Sequence, residues 1–113
     1  VRDFIHINDL SHMHLLAAND LVKKKISNIF NCGYGVGFSV DQVVNTLNKI
    51  VKFKIPILIG KRREGDSQHI VANSEKFAKY FLWEPKYNNL ELIIKSSLEW
   101  EKILDKNFIQ KKI

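Results

Sequence analysis

The chain has 113 residues, 45% hydrophobic and 27% charged, with a formal net charge of +6 and one cysteine, Cys32. That composition excludes a disordered tract, and the length excludes a mini-protein that would need staples to fold. A lone cysteine excludes an intrachain disulfide and fits a reducing compartment, while no apolar run approaches the roughly 18–20 residues of a membrane span and no signal peptide opens the chain, so a cytoplasmic address and no membrane partner are expected.

In chain order, "VRDFIHI" at 1 to 7 alternates and carries β-branched residues, which predicts a strand. The chain thus opens at Val1 directly in a strand-like pattern and is expected to be a piece of something longer. From Asp9 to Lys25 the residues Leu10, Met13, Ala17 and Leu21 recur at helical spacing, with Asn8 or Asp9 as the cap. "NIFNCG" at 28 to 33 reads as a short strand ending in glycine, and "GYGVGFS" at 33 to 39 as a turn. Ser39 and Gln42 have the S-x-x-Q spacing of a capping box, and Val40, Val43, Val44, Leu47, Ile50 and Val51 form the apolar stripe of the helix that follows. "KIPILIG" at 54 to 60 predicts a strand, which Pro56 confines to an edge or a strand start. "HIVAN" at 69 to 73 is a short extended piece, and a brief helix capped by Asn73 follows until "LWEPKY" breaks it. Leu90, Ile93, Ile94, Leu98 and Leu104 define a last helix beginning near Asn89. Short strands alternating with about four helices imply an α/β fold over residues 1–113, without repeat or linker.

Positive charge is carried almost wholly by lysine. The runs at 22 to 25, 51 to 54 and 110 to 113 fall at expected helix ends or in the tail, where lysine complements exposed carbonyls, so they read as solvated faces. No clustered basic and aromatic surface and no reading motif is present, which argues against a nucleic-acid partner. Only three residues are arginine, Arg2, Arg62 and Arg63, and two of them stand in "GKRREGD" at 60 to 66. A guanidinium grips phosphate through a planar fork of donors, the glycine admits positive φ or a close backbone approach, and the aspartate offers acceptors to sugar hydroxyls. The set suits a phosphorylated sugar or a nucleotide, and it also suits a charged turn after a strand.

Other chemistry is thinly supported. "GYGVGFS" sits where a dinucleotide loop would, but Phe38 occupies the third glycine position of G-x-G-x-x-G. His12 and His14 are two apart on a helix and point to different sides, so no metal site is expected. His6 reads as a satisfied core histidine, Trp83 and Trp100 as core or hinge packing, and Cys32 has no evident catalytic partner.

As an ordered set, "VRDFIHINDL", "IFNCGYGVGFSVDQVV", "PILIGKRREGD", "ANSEKFAKYFLWEPKY" and "LELIIKSSLEWEK" resemble the C-terminal portion of the UDP-glucose 4-epimerase family, within the extended short-chain dehydrogenases. The resemblance covers almost the whole chain, and "VRDFIH" with "RREGD" leans toward the epimerases among related nucleotide-sugar enzymes. It implies that Arg2 and Arg63 hold the diphosphate of UDP-glucose or UDP-galactose and that Asp66 binds hydroxyls of the nucleotide or its ribose. Arg62 is the lesser candidate. Phe4 stands where the family commonly has tyrosine, which removes a hydroxyl and leaves a ring to pack. The family reaction oxidises the hexose at C4 with bound NAD and returns the hydride to the other face, using a glycine-rich loop and a tyrosine with a lysine four residues on. Here the residues four places after Tyr34, Tyr80 and Tyr87 are Phe38, Glu84 and Glu91. The chain is therefore expected to be the substrate-binding part with the Rossmann half missing, NAD being held by that N-terminal half. Residues 9–33 are expected to dock on it. Separated from it, the chain should be inactive and marginally stable through an exposed edge and an apolar helix face. Another nucleotide-sugar epimerase, dehydratase or decarboxylase, or a small basic nucleic-acid-binding module, are the rival readings, and a homodimer stays open.

Overall fold

The computed structural model describes residues 1–51, 53–61 and 63–110, with 105–110 as backbone only. Arg62, Lys52 and the basic tail 111–113 lie outside the described residues. The elements run β1 (Arg2–Asp3), α1 (Ile7–Lys24), β2 (Gly37–Phe38), α2 (Val40–Val51), α3 (Glu75–Phe81) and α4 (Leu90–Gln110). Among the described residues the chain is thus helix-rich, with four helices and one two-stranded sheet. No helix among them is long and apolar enough to cross a membrane.

Strand β1 occupies the middle of the small amount of extended structure. Arg2 pairs with Phe38 and Asp3 with Gly37 in the antiparallel sheet, and Arg2 also bridges Ile70 in parallel on its other side. The segment 69–73 expected to be extended is therefore seated beside β1. The predicted strands at 28–33 and 54–60 are not strands: neither carries a ladder among the described residues. Leu58 and Ile59 are 98% and 97% exposed. An apolar β-prone run becomes a strand only where a second backbone satisfies its N–H and C=O groups, and none of the described segments does so here.

Helix α1 begins two residues before its predicted start. Its N-cap is His6, whose Nδ1 accepts from the Asn8 N–H at 3.1 Å, instead of Asn8 or Asp9. The imidazole is buried and stacks on Tyr87 with centroids 4.6 Å apart, in keeping with a satisfied core histidine. At the other end Lys25 takes the left-handed conformation (φ 55°) and its N–H bonds to the Leu21 carbonyl, with Lys23 and Lys24 in the last turn. Asn73 caps α3 from one residue outside: its Oδ1 accepts from Glu75 N–H, while Ser74 in the cap position makes no such bond. Asn89 similarly accepts from Leu92 N–H and starts α4.

The core gathers Met13 from α1, Phe77 from α3 and Trp83 beyond it, bordered by Ile5, Phe30, Tyr34 and Phe81. Phe30 meets Phe77 edge-on at 5.5 Å and Phe77 meets Trp83 edge-on at 5.8 Å, the arrangement the ring quadrupoles favour. Trp100 does not join this packing and is 58% exposed, contrary to the expectation for both tryptophans. Helix α2 packs against α4, yet none of its residues is fully buried. A Cα radius of gyration of 17.7 Å exceeds the roughly 13 Å of a compact domain of about this length. The chain therefore encloses little core for its size.

Because α2 is shallowly packed, its local cap matters. Ser39 N–H donates to Gln42 Oε1 at 2.8 Å, and Gln42 N–H donates to Ser39 Oγ at 3.1 Å, the reciprocal pair read from the sequence. Ser39→Ala should destabilise the start of α2 by about 1 kcal/mol, visible as roughly fivefold faster amide exchange at Gln42 and Val43. Unchanged exchange there would show that packing on α4 alone holds the first turn.

Candidate functional site

Side chains on a strand alternate, and over residues 2 to 5 that alternation sorts the chemistry. Arg2 and Phe4 face one way and line a cavity of about 350 Å³; Ile5 faces the core, and Asp3 faces the glycine-rich turn. The same cavity is lined by Phe38 from β2 and by Arg63, Asp66 and Ser67. All four residues singled out as ligand-binding, Arg2, Phe4, Arg63 and Asp66, therefore meet at one cleft although 64 positions separate Arg2 from Asp66.

A turn at 63–66 brings the far pair together. Asp66 N–H reaches the Arg63 carbonyl at 3.4 Å, and Gly65 between them has φ +76°, a conformation that favours glycine. Arg2 is held firmly: Nη1 donates to the carbonyls of Val1 (2.8 Å) and Ser67 (2.9 Å), and Nη2 donates to Asp66 Oδ1 at 2.6 Å. Arg63 is held loosely, its Nη2 lying 3.7 Å from Asp66 Oδ2 with the side chain 87% exposed. Two guanidinium groups thus converge on one carboxylate at the edge of a cleft whose other wall is two phenylalanine rings. Phe4 contributes ring surface there and no hydroxyl.

Two carboxylates hold this site in place: Asp3, which sequence reasoning did not single out, and Asp9, which it read only as a candidate helix cap. Asp3 accepts from the N–H groups of Tyr34 (3.1 Å), Gly35 (2.9 Å) and Ala72 (3.3 Å), so it ties β1 to the turn on one side and to the extended segment on the other. Gly33 is required for that approach, since a Cβ on it would lie 2.6 Å from Asp3 Oδ2 and 2.5 Å from Ala72 Cβ. Asp9 is 1% exposed and accepts from Tyr34 Oη (2.6 Å), Tyr87 N–H (2.9 Å) and Lys86 N–H (3.1 Å). Burial, then the Asp9 carboxylate, pushes the Tyr34 hydroxyl well above the usual phenol range, so it stays a donor. The signal for both was an aspartate on the inward side of an amphipathic pattern, and their partners are distant backbone amides that no local motif announces.

The remaining candidates lie elsewhere. Burial pushes the Cys32 thiol up, which leaves it protonated and a poor nucleophile. Among the described residues no group of three or more His, Cys, Asp or Glu is placed to hold a metal ion. Behind the glycine-rich turn the Ser39–Gln42 pair takes up the Ser39 and Gln42 N–H groups at the helix start, and Phe38, at the third glycine position of G-x-G-x-x-G, forms part of the cleft wall.

No protein-family model matches the sequence. Comparison with curated proteins finds the UDP-glucose 4-epimerase of Azospirillum brasilense, 37% identical over 107 residues, covering 95% of this chain and 31% of that protein. Among solved structures, the UDP-Glc/GlcNAc 4-epimerase from Campylobacter jejuni superposes with a TM-score of 0.77 at 44% identity, over 89% of this chain and 30% of that one. UDP-glucose 4-epimerase from Bifidobacterium longum, in complex with NAD+ and UDP, gives a TM-score of 0.75 at 29% identity, over 88% and 29%. The chain spans about 30% of the length of these relatives and matches their C-terminal part.

Proposed function

We propose that this chain, which matches the C-terminal part of UDP-glucose 4-epimerases over most of its own length, is the UDP-sugar-binding portion of such an enzyme, one that interconverts UDP-glucose and UDP-galactose. Arg2 and Arg63 clasp the diphosphate, Asp66 serves hydroxyls of the nucleotide, and the Phe4 ring forms part of the wall. The observation that carries this reading is the convergence of Arg2 and Arg63 on one cleft, linked through a shared carboxylate. Charge-assisted hydrogen bonds are worth roughly 1.5–3 kcal/mol each, so two guanidinium groups suffice to anchor a diphosphate far from the reacting carbon. Binding energy taken there positions the hexose for chemistry supplied elsewhere.

That chemistry belongs to a nucleotide-binding half which this sequence does not include, and NAD is bound there. Residues 9–33 are the docking face for it: Leu15, Leu21, Val22, Ile26 and Ile29 are all exposed along this stretch, an apolar band that water disfavours. The whole enzyme works in the cytoplasm.

Calorimetric titration of UDP into the chain tests the binding role, and a turnover assay with UDP-galactose and added NAD tests the division of labour. Saturable UDP binding that weakens with salt, and no turnover, are the expected results. Absence of UDP binding would remove the first claim, and any measurable epimerisation the second.

A further inference from the structure

A second cavity, of about 630 Å³, opens between the start of α1 and the middle of α4 and shares no residue with the arginine cleft. His6 and Ile7 border it on one side; Ser96, Ser97, Trp100 and Glu101, spaced so that they fall on one face of α4, border it on the other. His6 makes it more than a groove. Its imidazole is 5% exposed and held by the stack on Tyr87, and its Nδ1 accepts from the Asn8 N–H, which places the proton of the neutral ring on Nε2. That Nε2–H has no acceptor among the described residues, yet it is not sealed from solvent, and the cavity is where a ligand atom can reach it. Across the cavity both serine hydroxyls donate to the Ile93 carbonyl, at 2.9 and 3.0 Å, and so keep lone pairs for a further donor. Glu101 adds a carboxylate with no ion-pair partner among the described residues, and the half-exposed Trp100 adds an indole face.

These groups select the ligand. One donor faces several acceptors across an aromatic ring, so the ligand must accept at one edge, donate at the other and carry an apolar face between them. Although the chain has a net charge of +6, no lysine or arginine among the described residues borders this cavity and a carboxylate does, which disfavours an anion. A bare ammonium would suit Trp100 and Glu101 but has nothing with which to accept from His6. We infer that this cavity binds a neutral, unphosphorylated sugar: a pyranose ring lays its C–H face on Trp100, one hydroxyl accepts from His6 Nε2–H, and others donate to Ser96, Ser97 and Glu101. The sugar site goes beyond the proposed diphosphate clamp and does not depend on it, since the two use different residues and opposite charge.

Titrations of D-galactose and D-glucose into the full chain, followed in nitrogen–proton correlation spectra at the Trp100 indole and the His6 ring, test this. Saturable shifts at both residues are expected for at least one of the two sugars, with a Kd in about the millimolar range that suits so small a ligand, and with the buried Trp83 indole unmoved. Trp100→Ala, a change at an exposed position, should weaken the response at His6 about tenfold or more while the Trp83 signal reports an intact fold. Galactose 1-phosphate should bind about fivefold more weakly than galactose, and Glu101→Gln should narrow that gap. Saturating UDP should leave sugar binding unchanged. No saturable shift at Trp100 with either sugar, an unchanged affinity in Trp100→Ala, or displacement of the sugar by UDP overturns the site. A chain that binds sugar but not UDP keeps this site and loses the arginine clamp; the reverse result keeps the clamp and loses this site.

Discussion

Asp9→Ala is expected to unfold the chain. The Asp9 carboxylate is buried, and its removal takes the acceptor from the partly buried Tyr34 hydroxyl and from the N–H groups of Lys86 and Tyr87. A donor left without its acceptor costs about 1–3 kcal/mol when buried, and three partly buried ones that relax toward water, together with the cavity left by the carboxylate, put the loss near 3–5 kcal/mol. Native domains have about 5–15 kcal/mol in total, and this one encloses a small core and exposes an apolar band on α1, so the remainder is small. Asp9 also sits in the first turn of α1, where a negative group is favoured by the helix N-terminus. Asp9→Asn keeps one acceptor and should cost less. Denaturant titration followed by circular dichroism measures both, and an Asp9→Ala variant that melts with the parent chain would show that this bracket is incidental.

The severity follows from what Asp9 joins. Tyr34 accepts from the His6 N–H through the same hydroxyl that donates to Asp9, and His6 both caps α1 and stacks on Tyr87. One carboxylate, one phenol and one imidazole therefore lock the start of α1 to the glycine-rich turn and to the segment before α4. Asp3 does the equivalent for β1. Through these two brackets the cleft inherits its geometry: Arg2 and Phe4 are aimed by a strand whose inward neighbours are anchored.

Those brackets also mark where reading the sequence stopped. The Ser39–Gln42 cap, the Asn89 start of α4 and the Asn73 contribution to α3 were legible because each is a local contact between residues at most three apart. The cleft was legible for a different reason: arginine is scarce in this chain, and a two-residue period places Arg2 and Phe4 on one face. Asp9 looked like a helix cap by composition, but its side chain turns inward and an imidazole does the capping, an acceptor that preference rankings omit. The runs at 28–33 and 54–60 have strand composition yet form no ladder, because pairing is a property of two segments and the sequence of one cannot supply the other. Trp100 was assigned to packing by its residue type alone, and only the position of α4 shows its exposure.

Arg2→Ala is expected to weaken UDP binding by about a hundredfold or more while leaving the fold in place. Under the proposed clamp, Arg2 supplies charge-assisted hydrogen bonds worth roughly 1.5–3 kcal/mol each, and losing two of them exceeds the 2.8 kcal/mol that corresponds to a hundredfold change. Its preorganisation adds to this, since the Val1 and Ser67 carbonyls already fix the guanidinium before any ligand arrives, so little side-chain freedom is lost on binding. Arg63, largely exposed and 3.7 Å from its carboxylate, must be ordered by the ligand, and Arg63→Ala should cost a smaller factor, about tenfold. Arg2→Lys separates charge from geometry: an ammonium keeps the attraction but cannot bond Val1, Ser67 and a phosphate through one planar fork, so affinity should fall between the parent and Arg2→Ala. The fold should survive each change, because the Arg2–Asp66 pair is half-exposed and contributes no more than about 1 kcal/mol. Calorimetry with UDP, alongside denaturant titration of the same samples, distinguishes the outcomes. Equal losses at Arg2 and Arg63 would contradict the assigned asymmetry, and an Arg2→Ala chain that binds UDP as tightly as its parent would remove the clamp.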